Sequence, residues 1–114
     1  MPVEIHKGFF KDRTEVMEDL KKTGFWPTTY VSGPSPALPI HWHDVDINGY
    51  VISGSSSILD GESGETIDIE AGDKLVIPSG TLHAEGKVTE SMTYIVATSR
   101  AGQLFELLEM KPPP

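Results

Sequence analysis

The sequence predicts an all-β chain, an antiparallel sandwich or barrel with a short helix at each flank. Three observations carry this. Short β-prone runs alternate with turn residues at a spacing of about 8–12 residues between positions 28 and 98. One of those runs, Thr66-Ile-Asp-Ile-Glu70, alternates apolar and polar residues at the two-residue period of a strand with one buried face. Helical periodicity is confined to two stretches outside the core, residues 13–23 and 101–110. The length of 114 residues fits one domain, 1–114, with its barrel core at about 28–98.

Taken in order, the chain opens on an irregular segment. Asp12 and Glu15 have the N-cap and N3 spacing of a capping box, Val16, Met17 and Leu20 form one apolar stripe, and Thr23-Gly24 is a C-cap. Residues 13–23 therefore read as a helix packed on the outside of something larger. Phe25-Trp26-Pro27 is an aromatic hinge into a β-prone run at 28–31. Gly33 to Pro39 holds three prolines in seven residues. Proline has no N–H to give a ladder, so this segment reads as a rim loop delivering the chain to His41.

Strands are expected at 50–53, 57–59, 66–70, 75–77, 81–85 and 92–98. Gly54 to Ser57 reads as a flexible connector, and Asp60 to Gly64 as a tight turn. Gly72 and Gly80 sit at turns where positive φ is expected. A last helix is expected over 101–110, with Leu104, Phe105, Leu107 and Leu108 on its apolar face and the terminal prolines stopping it.

Composition narrows the function classes. With no cysteine there is no disulfide, no thiolate zinc site and no cysteine nucleophile. A formal net charge of −8 with scattered basic residues disfavours nucleic acid as a partner. No apolar run reaches membrane-spanning length, and the N-terminus lacks the apolar region of a secretory signal, so the expectation is a soluble cytoplasmic protein. Gly61-Glu-Ser-Gly-Glu65 is not a nucleophile elbow, and no glycine-rich phosphate loop is present.

The chemistry concentrates at His41-Trp-His43. In an extended strand His41 and His43 share one face while Trp42 takes the other. Two imidazoles side by side are half of a metal site, or ordinary strand histidines if nothing completes them. Downstream, Gly72-Asp-Lys-Leu-Val-Ile-Pro-Ser-Gly-Thr-Leu-His83 runs turn, short apolar strand, turn, histidine.

In these two stretches the chain resembles the cupin family. Its first motif is H-x-H, three or four residues, an acid, six residues and a glycine; its second is a glycine, five residues, P-x-G, two residues and a histidine. Gly72, Pro78, Gly80 and His83 match the second motif, and His41, His43 and Gly54 match the first. Ile47 stands where the family has glutamate, and Lys87 where it has a trailing asparagine.

The resemblance implies a double-stranded β-helix, or jelly-roll barrel, of six to eight strands. It implies one divalent metal ion (Fe, Zn, Ni or Mn) held by His41, His43 and His83. It also implies pairing into a homodimer, with the N-terminal segment available as a swapped strand. Ile47 at the acid position resembles three-histidine centres, whose neutral ligand set would favour an anionic substrate. A bulge would instead swing Asp46 in as a fourth ligand; without one, Asp46 is a solvated charge, as Asp44 is.

Glu85, two residues after His83, faces the same side in a regular strand. It is the candidate catalytic residue, read as a general base, a fourth ligand or a salt-bridged wall residue, against an exposed carboxylate at a strand end. His6 reads as a solvated side chain, and Trp42 and Tyr50 as packing residues between sheets or at a subunit contact.

Three functions follow, all with a small-molecule ligand: a metal-dependent dioxygenase, a non-catalytic ligand- or metal-binding module, and a sugar-type isomerase or epimerase.

Overall fold

The computed structural model describes residues 2–114. The elements are β1 (Glu4–His6), α1 (Arg13–Thr23), β2 (Trp26–Ser32), β3 (Ile47–Ser53), β4 (Ser55–Asp60), β5 (Thr66–Glu70), β6 (Lys74–Ile77), β7 (His83–Glu85), β8 (Met92–Thr98) and α2 (Leu104–Leu107). The strands form two antiparallel sheets, one ordered β1-β6-β3-β8-β2 and one ordered β5-β4-β7. No helix among the described residues is long and apolar enough to cross a membrane.

Among the described residues the strands form two separate antiparallel sheets, and closure into the barrel that the resemblance implies is not seen. The reason lies in the proline-rich rim segment. Residues 33–46 make isolated bridges and no continuous ladder: Ser35 to Val88, His41 to His83 and Trp42 to Lys111. Pro34, Pro36 and Pro39 have no N–H to donate, so a continuous edge strand cannot form there.

Alternation along β3 and β8 sorts their side chains onto two faces. Val51 and Val96 join Ile58, Ile69, Leu75 and Ile77 in the main core. Tyr50, Ile95 and Ala97 face the other way and meet Phe10, Val16 and Leu20 in a second cluster, where α1 covers the large sheet. Full burial of an aliphatic side chain such as Val16 or Leu20 is worth roughly 1.5–3 kcal/mol, which fixes α1 in place.

The capping signals at α1 hold. Asp12 accepts from the Glu15 N–H at 3.0 Å, Glu15 accepts from the Lys11 N–H at 2.9 Å, and Gly24 closes the helix at φ 72°. Behind this helix Asp19 Oδ2 accepts from Lys74 Nζ and from the Tyr50 hydroxyl, each at 2.6 Å. Tyr50 is therefore a packing residue with a buried polar partner, and Lys74 is buried although charged.

Four expectations change. The opening segment is not wholly irregular: Glu4–His6 pairs with β6 of the same chain. The connector shrinks to Gly54, because β4 already starts at Ser55 and pairs with β5. The strand expected at 81–85 is only His83–Glu85, because Thr81 closes the preceding turn through its N–H to Pro78 O at 3.1 Å. The last helix is one turn, Leu104–Leu107, not 101–110. Gln103 supplies no side-chain cap, and the chain then straightens to pair backbone with Trp42, whose N–H reaches Lys111 O at 3.1 Å while Lys111 N–H reaches Trp42 O at 2.9 Å.

The motif glycines are of two kinds. Gly80 has φ +83° with open space around it, whereas at Gly54, φ +89°, an added Cβ would strike the Ser91 carbonyl and lie 2.8 Å from Met92 Cγ. Gly80→Ala is expected to lose roughly 1–2 kcal/mol, the cost of a left-handed non-glycine residue. Gly54→Ala adds a backbone clash and is expected to lose on the order of 3 kcal/mol or more. Urea midpoints measure both; equal shifts would mean that the Ser91 backbone gives way.

Candidate metal centre

His41 and His83 are placed side by side by their own backbones. His41 N–H donates to His83 O at 2.9 Å and His83 N–H to His41 O at 3.0 Å. His43, two residues on, returns to the same face. The ring centroids lie 4.8 Å apart for His41 and His43, 4.5 Å for His41 and His83, and 5.1 Å for His43 and His83. The Pro78–Gly80 turn is tied to this segment through Gly80 N–H to His43 O at 3.0 Å.

Each imidazole is oriented by a backbone carbonyl. His41 Nδ1 is 2.6 Å from Pro39 O, His43 Nδ1 is 3.1 Å from Glu109 O and His83 Nδ1 is 2.8 Å from Thr81 O. A carbonyl oxygen only accepts, so each Nδ1 carries the proton. In the neutral tautomer each Nε2 then offers a lone pair.

Glu85 completes the group. Its Oε2 lies 3.3 Å from His41 Nε2 and its Oε1 3.4 Å from His83 Nε2. The four ligand atoms of His41, His43, His83 and Glu85 lie within 4.8 Å of one another. His41 Nε2, His83 Nε2 and Glu85 Oε2 are buried with no hydrogen-bond partner. Buried polar atoms left unpaired cost free energy, and a cation at their centre satisfies all of them at once. Metal–ligand bonds of about 2.0–2.2 Å put neighbouring ligands roughly 3 Å apart, close to the two separations from Glu85. The donor set fits a divalent ion.

The electrostatics agree with the geometry. Burial pushes the His43 imidazole below its usual pKa, against the pull of the Glu109 carbonyl. Burial alone would also lower His83, but the Glu85 carboxylate beside it holds it above its usual value. Burial would raise Glu85, and His83 overcomes this and holds its carboxyl below the ordinary range.

Asp46, the alternative fourth ligand, lies outside this group. No bulge lies at this point; the register shift along β3 comes at Val51 to Ser53. Asp46 Oδ1 instead accepts from the Ser79 N–H at 2.8 Å, which pins the Pro78–Gly80 turn. Beside the three imidazoles stands one carboxylate, Glu85 from β7. Ile47 is buried and forms part of the cavity wall. Asp44 is exposed, and His6 is half exposed on β1, 3.6 Å from Glu4.

A cavity of about 380 Å³ opens onto His41, His43 and Glu85. Its walls are chiefly aliphatic, with Ile58 and Ile69 from the small sheet and Leu75, Ile77 and Val96 from the large one. Phe105, Leu108 and Met110 close one side. Sequence reasoning did not find this C-terminal wall, nor the Glu109 carbonyl behind His43, because a backbone oxygen leaves no mark in residue type. Trp42 packs on the same segment, donating Nε1–H to Pro112 O at 3.1 Å.

Comparison with known proteins places this site in context. A family model described as a cupin domain matches residues 30–98. Among solved structures, the polyketide cyclase RemF from Streptomyces resistomycificus is 26% identical, with TM-score 0.54, over 67% of this chain and 55% of that one. A protein from Thermotoga maritima, of a family of unknown function, is 20% identical with TM-score 0.57, over 82% of this chain and 96% of that one. A variant of Bacillus subtilis oxalate decarboxylase is 20% identical with TM-score 0.54, over 67% of this chain and 22% of that one. The chain thus spans just over half the length of the cyclase and about a fifth of the decarboxylase. At 20% identity the likeness is one of fold. No curated protein matches the sequence significantly.

Proposed function

The chain belongs to the cupin domain family, and from that premise we propose that it is a single-metal enzyme acting on a small organic molecule. The observation that carries this reading is the set of buried, unpartnered atoms, His41 Nε2, His83 Nε2 and Glu85 Oε2, in a cluster of which His41, His43 and Glu85 face a cavity. His41, His43, His83 and Glu85 would hold one divalent ion (Fe, Zn, Ni or Mn), with the remaining positions left to ligand or water. Such an ion supplies Lewis acidity and, if it is iron, oxygen chemistry.

The protein's own contribution is orientation and exclusion of water. Backbone carbonyls fix the three imidazoles, the aliphatic walls keep solvent from the cavity, and Glu85 is placed to ligate or to hold a proton beside the bound molecule. With iron, the reaction we favour is oxygen-dependent cleavage of the substrate. The second reading is a proton-transfer reaction such as isomerisation or cyclisation. Glu85 favours it, since it brings a carboxylate to the reacting end of the cavity, and so does the likeness to a cyclase at 26% identity.

Metal titration tests the site. Glu85→Gln is expected to weaken zinc or iron binding at least tenfold, whereas Asp46→Asn should leave it within twofold and cost only about 1 kcal/mol through the Ser79 bond. Loss of metal in Asp46→Asn with full binding in Glu85→Gln would overturn the ligand set. Oxygen uptake by the iron-loaded protein separates the first reaction from the second, which would show as substrate exchange with solvent deuterium.

A further inference from the structure

The cavity's lining speaks to the class of molecule it takes. Among the described residues that line it there is no lysine and no arginine. The one formal charge is Glu85, already committed to the histidine cluster, and the other polar side chains are hydroxyls, Tyr30, Ser32, Ser35 and Tyr94. The rest is aliphatic wall from both sheets and from the segment after α2. At the mouth, Phe105 is 77% exposed and Met110 47%, and the Tyr30 and Phe105 rings meet edge to face with centroids 6.2 Å apart. The apolar wall therefore continues out to exposed side chains, while the histidine end carries the one charged group.

We infer that this cavity binds a largely apolar, non-phosphorylated molecule carrying one ionisable oxygen, a phenol or an enol, turned toward the histidine end. The inference rests on the metal reading above and deepens it. A divalent ion with three neutral imidazoles and the Glu85 carboxylate keeps a single net positive charge, which one phenolate or enolate oxygen balances. A phosphate dianion would bring further charge into an apolar space with no cation to pair it, at a cost of several kcal/mol. A sugar would strand its hydroxyls against aliphatic walls. At about 380 Å³ the cavity is in the range of small-molecule sites, roughly 300–1,000 Å³, and leaves room for a fused two-ring system. The anionic substrate expected from a three-histidine centre is thus replaced by a weakly acidic, greasy one.

The test uses the full chain loaded with zinc, with 2-naphthol as probe and glucose 6-phosphate and oxalate as competitors, followed by calorimetry. The expected result is 2-naphthol bound at least tenfold more tightly than either anion. Leu108→Lys, which places a cation on the wall, should weaken 2-naphthol at least tenfold. Should that variant fold poorly, Phe105→Lys alters the mouth at an exposed position and should weaken it at least threefold. Zinc uptake is measured on the same samples. Protein that takes up zinc but prefers glucose 6-phosphate or oxalate, or whose 2-naphthol affinity ignores both lysine variants, overturns this inference alone. Protein that takes up no zinc overturns the metal reading and this inference with it.

Discussion

His83→Ala is expected to lower metal affinity at least a hundredfold while leaving a folded protein. His83 has no exposed surface and sits where the two motif segments meet, so its imidazole cannot be replaced by water from outside. Substitutions at groups that merely support a metal ligand already cost about 10–100-fold, and loss of a ligand should exceed that. The fold should survive, because the backbone pairing of His41 with His83 needs no side chain. His6→Ala is the control and should bind metal normally, since His6 lies on β1 beside Glu4 and outside the histidine cluster. Zinc titration against a competing chelator, paired with a melting curve, measures both. Full zinc stoichiometry in His83→Ala would mean that the two segments do not converge on one ion.

The largest stability loss is expected at Asp19→Ala, on the far side of the large sheet from the cavity. The Asp19 carboxylate serves both Lys74 Nζ and the Tyr50 hydroxyl, and the side chains of Lys74 and Asp19 are only 11% and 13% exposed. Removing the carboxylate strands an ammonium beneath α1, and breaking a buried pair in this way costs about 3–5 kcal/mol. Replacing both partners by apolar residues, Asp19→Leu with Lys74→Met, should recover most of the loss. A loss below about 1 kcal/mol in Asp19→Ala would mean that Lys74 escapes to solvent, as an exposed pair allows.

The same carboxylate gives a pH signature. Burial would raise the Asp19 pKa, but its bonds to Lys74 and Tyr50 outweigh this and hold it below 3.8. Asp73 is held down likewise, by Lys7 and by the Gly8 and Glu70 N–H groups against the effect of burial. A carboxyl whose pKa is lower folded than unfolded adds stability above the unfolded value and loses it as the pH falls toward the folded one. The urea midpoint should therefore drop on acidification below about pH 4, and less steeply in Asp19→Ala.

How far the sequence was legible depended on the range of the interactions. Asp12, Glu15 and Gly24 act within one helix, and the bounds of α1 were readable from them. Thr66 to Glu70 shows its faces by alternation, and Met92 to Thr98 is a β-prone run bounded by turn residues, so those strands were readable too. The three histidines came from spacing plus family likeness, and Glu85 from parity with His83. What failed was long-range. Glu4–His6 becomes a strand only because β6 offers it an edge. The last helix stops after one turn because the chain finds a backbone partner in Trp42. The place of Asp46 was decided by the Ser79 N–H, and a turn amide 33 residues away leaves no trace in periodicity.

The carbonyl behind His43 also bears on the order in which the site is made. Glu109 lies 66 residues downstream of His43, so at a synthesis rate of about 5–20 residues per second His43 leaves the ribosome roughly 3–13 s before its partner. Until then its ring has no fixed tautomer, and His41 and His83 can pair without it. The fully oriented three-imidazole cluster therefore forms only after the Glu109 segment has been made, whereas the backbone pairing of His41 with His83 does not wait for it.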